Sequence, residues 1–400
     1  MIVRRRNIIH KGALYGYISK WISNSLIDGE YIDKFEKAFA GFANISEGVA
    51  TSCGIHALSI ILEFFIKDRK NDEIYVPAYT AKVIKDFLDL NNYRYKLIDI
   101  DPERGTMDAR DFEQKITSNG RIALITHLFG NVCSHEVINL AKKNGLIVVE
   151  DCAHAHGASV GTLGDAAFYS FDHCKLINTF TGGILLSENM ELIKFAKMDL
   201  AGRSKPGKIK LLIKIFSGLL ENLIFGKYLL PFSFWILRHE KYLRKLKSSI
   251  NFIRRDNLKT FHRFTNFQAC IGLKQLEKLD RTNTSRYSKY KRLLNHFNEN
   301  VKFLKKTNGD VIYYMIVLSK HAPNLKKDLA DRGIDSGIGE SIMYPLAKKS
   351  LKQYPGTLLA INNYVQIPIH SKVKDSDIEI IAQIINSSSG QIPDKKGKVV

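Results

Sequence analysis

Four hundred residues, 45% of them hydrophobic, are enough for one large domain or two ordinary ones, and they exclude a wholly disordered chain. The five cysteines (Cys53, Cys133, Cys152, Cys174, Cys270) are odd in number and form no CxxC pair, which argues for reduced thiols and against a disulfide framework or a cysteine zinc site. The net charge of +20 is concentrated: residues 205–260 hold 9 Lys and 4 Arg against 3 acids, which points to a local anionic partner.

The N-terminal segment, residues 1–45, opens MIVRRRNIIHKGALYG and has no apolar stretch long enough for a secretory signal. From residue 46 the pattern is strand, turn, helix, repeated. GVATSC reads as a strand and GIHALSIILEFF as a helix; EIYVPA is a strand and VIKDFLDL lies in a helix. YKLIDID, ALITHLF, LIVVED, AFYSFD and GGILLS are further short apolar runs, and HEVINLAKKNG is a helix ending at Gly145. Strands alternating with helices predict an α/β domain with a mostly parallel sheet covered on both faces. Ligands in such sheets bind at the carboxyl ends of strands, where Asp151 lies. No Gly-rich P-loop or dinucleotide loop is present.

Residues 204–262 break the rhythm. Lys210, Lys214, Ser217 and Glu221 make a narrow polar stripe on an otherwise apolar helix, and YLLPFSFWIL follows, too short to span a bilayer. Next come Arg238, Lys241, Arg244, Lys245, Lys247, Arg254 and Arg255. Wide apolar faces beside a basic cluster suit a helix in an anionic membrane interface; the alternative is an apolar face packed on the enzyme itself. Nucleic acid has no use for so aliphatic a face. FQACIGLKQLEKLD reads as a helix, residues 283–387 as a smaller C-terminal α/β domain, and 388–400 as a tail.

A carboxylate at a strand end followed by a lysine on a separate turn suits pyridoxal 5'-phosphate (PLP). The acid keeps the pyridine nitrogen protonated, the lysine amine forms the Schiff base, and a helix N-terminus holds the phosphate. The stretches SCGIHAL, IYVPAYT, LIDIDPERGTMD, ITHLFGNV, GLIVVEDCAHAHGA, LGDAAFYSFDHCK, TGGILLS and FQACIGLKQLEKLD together resemble the DegT/StrS family of PLP-dependent sugar aminotransferases. The resemblance implies fold type I: a large PLP-binding domain over 46–282, carrying the insertion 204–262, and the small domain.

By that resemblance Lys175 is the Schiff-base lysine, Asp151 the acid on the pyridine nitrogen, and His154 the neighbour of the ring hydroxyl. Ser170, Gly54 and Ile55 bind the phosphate, and Arg263 reaches the phosphate of a partner subunit in a homodimer. Three departures stand out. Ile55 offers only its backbone N–H, Ala81 stands where an aromatic residue usually stacks on the ring, and Thr181-Gly182-Gly183 lacks the glutamate of a GEGG motif. The remaining histidines His127, His156 and His173 read as structural or peripheral, and Cys53, Cys152 and Cys174 as packing residues.

The implied reaction moves an amino group from glutamate to a keto sugar, nucleotide-activated or lipid-linked, in bacterial surface polysaccharide or glycolipid synthesis. The enzyme is expected in the cytoplasm, with peripheral contact to the membrane's inner face through 205–260. Two rivals stay open: a PLP-dependent sugar dehydratase, against which Lys175 argues, and a non-catalytic membrane-surface protein that kept the fold.

Overall fold

The computed structural model describes Ile2, residues 12–224 and residues 260–389. Helices α1 (Ala13–Ile22) and α2 (Tyr31–Phe42) lead into β1 (Glu47–Thr51) and α3 (Gly54–Phe65). Then come β2 (Glu73–Pro77), the short β3 (Tyr79–Thr80), α4 (Lys82–Leu90), β4 (Arg94–Ile98), α5 (Ala109–Lys115) and β5 (Gly120–Thr126). The unit is completed by α6 (His135–Lys143), β6 (Ile147–Asp151), β7 (Ala166–Ser170), β8 (Gly183–Ser187), α7 (Met190–Ala201) and α8 (Lys208–Ile224).

Seven strands form one sheet in the order β1-β8-β7-β6-β5-β2-β4, parallel except for β8, which runs antiparallel to both neighbours. Successive side chains on a strand point to opposite faces. Ile74, Val76, Ile122, Leu124 and Val149 therefore meet α3, α4 and α7, while Tyr75, Ala123, Ile125 and Val148 meet Phe112 of α5 and Val137 and Ala141 of α6. Both faces are buried, so these strands read as continuous apolar runs. Helix α6 starts where the Ser134 side chain accepts from Val137 N–H, and it ends before Gly145, whose φ of 68° suits glycine.

After the insertion, α9 (Asn266–Leu276) returns to the first unit beside α2, and α10 (Leu279–Asn295) leads into a second unit that contains β9 (Lys302–Phe303), β10 (Met315–Leu318), α11 (Ala322–Asp331) and β11 (Gly337–Ile338). It ends with β12 (Tyr344–Pro345), α12 (Pro355–Asn363), β13 (Tyr364–Ile367) and α13 (Asp375–Ser389). Its four-stranded antiparallel sheet runs β11-β13-β10-β9 over a core that includes Val317, Leu325, Leu329, Val365, Ile367 and Ile381. The motif expected to be one helix breaks after Leu276, and α10 bridges the units. Strand β12 pairs with β3, and buried Asp99 accepts from Gly356 N–H, Thr357 N–H and the Thr357 hydroxyl at the start of α12. These satisfied buried polar contacts fix the small unit against the large one.

Of the insertion, α8 is described and residues 225–259 lie outside the described residues, among them YLLPFSFWIL and the Arg238–Arg255 cluster. Leu211 and Ile215 of α8 pack with Ala13, Tyr17, Phe180, Phe267 and Ile271, so one apolar face does rest on the enzyme. The opposite face, Ile209, Ile213, Phe216 and Leu220, is exposed. Helix α1 lies alongside, with the Tyr17 hydroxyl donating to the Lys208 carbonyl at 2.7 Å, and it exposes Tyr15, Ile18, Trp21 and Ile22. Among the described residues no helix is long and apolar enough to cross a membrane.

Candidate active site

The carboxyl ends of β1, β5, β6 and β7 and the start of β8 share one edge of the sheet. Strand β6 ends in two acids that face opposite sides and do different work. Glu150 is fully buried and accepts from His127 Nε2 at 2.9 Å and from the N–H groups of Gly161, Leu163 and Gly164 at 2.8–2.9 Å. Because Cys133 N–H donates to His127 Nδ1, the His127 proton sits on Nε2. Burial opposes the Glu150 charge, but the His127 contact and these N–H groups hold its pKa below the ordinary range. Glu150 thus anchors the 161–164 loop. Its Cys152 neighbour is also within metal-ligand distance of His127 and Glu150, but burial raises that thiol well above its usual range, and the carboxylate is already satisfied. The trio reads as structure, as expected for His127 and Cys152.

Asp151 points the other way. It is 5% exposed and accepts from Ala153 N–H at 3.0 Å and, at the long limit, from the Thr126 hydroxyl at 3.5 Å. Burial raises its pKa against the pull of the Ala153 N–H and the Lys175 charge. A buried carboxylate with so little hydrogen bonding is matched by a cationic N–H, which is what a pyridinium offers. Lys175 Nζ lies 5.7 Å from the centre of the Tyr313 ring, which stacks on His154, and its charge favours the ionised form of Asp151.

The residues expected to bind phosphate meet around Gly54. Cys53 is the N-cap of α3 in extended conformation, so the N–H groups of Gly54 and Ile55 open the helix. A Cβ on Gly54 would lie 3.1 Å from Ser170 Cβ, which puts the Ser170 hydroxyl beside that N-terminus. A Cβ on Gly183 would lie 2.6 Å from Gly54 N and from the Cys53 carbonyl carbon, so β8 can pass only as glycine. The Ile55 side chain is buried in the core, 8% exposed, which accounts for the missing hydroxyl: the position serves through its backbone. These residues fit PLP: two helix-start N–H groups and a hydroxyl for phosphate, an under-bonded buried carboxylate, and a lysine near it.

His154 is buried with its ring at 4.2 Å from that of Tyr313 (18° between planes) and 6.3 Å from Phe129. His156 is held neutral, its pKa pushed down to about 3 by burial and then by Lys175, among Tyr169 and Phe171. Ala81 is the N-cap of α4 and offers no ring. Arg263 does not join the group: its backbone bridges Thr51, while its guanidinium lies at the surface 3.6 Å from Asp28.

Residues that the sequence did not suggest hold this arrangement. Gln268 Nε2 donates to the carbonyls of Thr179 and Thr181, and Gln275 exchanges hydrogen bonds with the Asn178 backbone. Seven residues apart on α9, they grip the loop between Lys175 and β8. Thr181, standing in place of the motif glutamate, donates its hydroxyl to the Ser52 carbonyl at 2.9 Å. Tyr313, just before β10, donates its hydroxyl to the Cys174 carbonyl at 2.9 Å, and Lys175 Nζ lies 5.7 Å from its ring centre.

The chain matches the model of the DegT/DnrJ/EryC1/StrS aminotransferase family over residues 18–218 and 239–386. It is 34% identical over 180 residues to GDP-perosamine synthase of Escherichia coli O157:H7, covering 44% of this chain and 48% of that protein. It is 35% identical over 176 residues to dTDP-3-amino-3,6-dideoxy-alpha-D-galactopyranose transaminase of Aneurinibacillus thermoaerophilus, covering 42% and 47%. The aligned stretch thus spans about half the length of these relatives. Among solved structures, the PMP-form of the putative sugar aminotransferase Spr1654 from Streptococcus pneumoniae superposes with TM-score 0.76 at 18% identity, over 97% of this chain and 99% of that one. Helicobacter pylori PseC, an aminotransferase of pseudoaminic acid biosynthesis, gives TM-score 0.75 at 15% identity, over 97% and 98%. At such identities the superpositions speak for the fold.

Proposed function

The chain belongs to the DegT/DnrJ/EryC1/StrS aminotransferase family, and from that premise we propose that it is a PLP-dependent aminotransferase acting on a nucleotide-activated keto sugar. The observation that carries the reading is the buried Asp151 carboxylate, which among the described residues accepts only from Ala153 N–H and, at the long limit, from the Thr126 hydroxyl, at the sheet edge that also holds the Gly54–Ser170 contact. Bound PLP supplies an electron sink and a carbonyl that exchanges amines. Gly54 and Ile55 N–H and the Ser170 hydroxyl would hold its phosphate. Asp151 would keep the ring nitrogen protonated, and its burial would make that pairing strong. His154 would be the neighbour of the ring hydroxyl. Lys175 would hold the cofactor's carbonyl carbon and would be the group that moves a proton at the reacting carbon.

Glutamate is the amino donor in this reading, and the enzyme works as a homodimer in which surface-exposed Arg263 reaches the partner's phosphate. The names of the relatives, a GDP-sugar synthase and a dTDP-sugar transaminase, support a nucleotide carrier. The exposed apolar faces of α1 and α8, with the +10 of residues 205–260, support peripheral contact with an anionic membrane face.

The test incubates purified enzyme with PLP, glutamate and a panel of nucleotide keto sugars, read by mass spectrometry. A product one amino group richer, formed only with glutamate, is expected. Borohydride should fix the cofactor on the peptide containing Lys175, and labelling of another lysine would overturn the assignment.

A further inference from the structure

We infer that Tyr313 is a positioning residue of this site, brought by the small unit, that orients Lys175 and His154 together and favours positive charge on the lysine nitrogen. The inference rests on the reading of Lys175 as the cofactor lysine.

Three contacts from one side chain carry it. The Tyr313 hydroxyl donates to the carbonyl of Cys174, the peptide directly before Lys175, and so fixes the backbone from which the amine extends. The ring lies flat on the His154 imidazole at 4.2 Å and 18°. The same ring has Lys175 Nζ 5.7 Å from its centre. The negative quadrupole of an aromatic face attracts a cation within about 6 Å. Tyr313 is in turn held hard. It is 2% exposed, its carbonyl accepts from Arg286 Nη1 at 3.0 Å, and its ring is 4.3 Å from that of Tyr314. A side chain needed only for packing would not require a hydroxyl aimed at this one carbonyl.

Lys175 also acts on Asp151 at the end of β6, on His156 on the following turn and on Asp172 on its own turn; Asp172 is shared with His173, whose pKa it pushes up to about 11, and with Lys214 of α8. The two acids favour a positive lysine nitrogen. His156, held neutral, adds no charge. Tyr313 contributes in the same direction as the acids without adding a formal charge, and it contacts His154 as well. One residue of the small unit thereby couples the position of the lysine to that of the group at the ring hydroxyl.

The experiment compares Tyr313→Phe, Tyr313→Leu and Tyr313→Met with wild type as PLP-loaded holoenzymes. It reads the pH midpoint of the visible cofactor band, with kcat and KM for glutamate measured separately. Phe keeps the ring and loses the hydroxyl: its midpoint should match wild type, while kcat falls about tenfold at near-constant KM. Leu and Met lose the ring: their midpoints should drop by about half a pH unit, because the positive form is less favoured. A merely structural residue would alter thermal stability in Leu or Met and leave the midpoint alone. If Leu does not fold, Met carries this arm, being close to it in volume. Identical midpoints in all four proteins overturn the charge role, and a wild-type kcat in Phe overturns the carbonyl anchor. A wild-type protein with no visible band would instead sink the functional reading, whatever the variants do.

Discussion

Glu36 on α2 reaches into the large unit and accepts from Ala50 N–H of β1 at 2.7 Å. Burial pushes its pKa from an ordinary 4.5 to about 7, opposed by the Ala50 N–H and Lys197 and reinforced by Asp33 and Glu47. An acid raised in the folded state binds its proton more tightly there than in the unfolded chain. The stability it contributes is full below pH 4.5 and is lost as the pH rises to about 7. A gap of that size corresponds to about 3 kcal/mol as an upper figure, since the side chain keeps some solvent contact. Glu36→Gln keeps an oxygen for Ala50 and cannot ionise. The variant should match wild type near pH 4.5 and be more stable at pH 8, by about 1–3 kcal/mol. Urea unfolding of both proteins across this range is the assay. A stability difference independent of pH, or a variant less stable at pH 8, would refute the reasoning.

Asp151→Asn should still load PLP on Lys175, seen as a visible band, but turnover should fall about 100-fold or more; near-normal turnover would contradict the role. Gly183→Ala places a carbon against the Cys53–Gly54 backbone, and PLP titration should show at least about tenfold weaker binding, with unchanged binding counting against the cradle. Sedimentation with anionic liposomes should fall, but not vanish, in high salt, and replacing Trp21 and Phe216 with Ser should weaken it at every salt concentration. Intact enzyme that stays in the supernatant at low salt would leave those faces as packing surfaces.

The fold and part of the candidate site could be read from the sequence because their causes are local. Short runs such as LIVVED alternate with helical spacing, a strand-end acid announces itself by following four apolar residues, and Gly145 marks a helix end by its conformation. Glu150 beside Asp151 was the harder case. Nothing in the order of the two acids tells which one turns to the 161–164 loop; that depends on which face β6 turns toward its neighbours. Tyr313 and Gln275 were invisible for another reason. They meet the lysine turn across sequence separations of 139 and 97, and a tyrosine before a strand or a glutamine on a helix has no local mark of such a contact. Half of α8's character was foreseeable from its spacing. That two apolar faces would end on opposite sides, one on the enzyme and one exposed, depends on where α1 lies.

The grip of Gln268 and Gln275 on the lysine loop has an evolutionary consequence. The chain leaves the large unit after α7 and re-enters at α9, and the re-entering helix carries the two amides that fix the loop beyond Lys175. Whatever is spliced between these points can lengthen without moving the reacting groups, since doubling a loop costs only about 0.6 kcal/mol of closure entropy. Residues 219–238, which the family model does not match, fall in that stretch. The same architecture could thus acquire a new address in the cell, or shed one, by exchange of a single cassette, while the chemistry beneath stayed under separate selection.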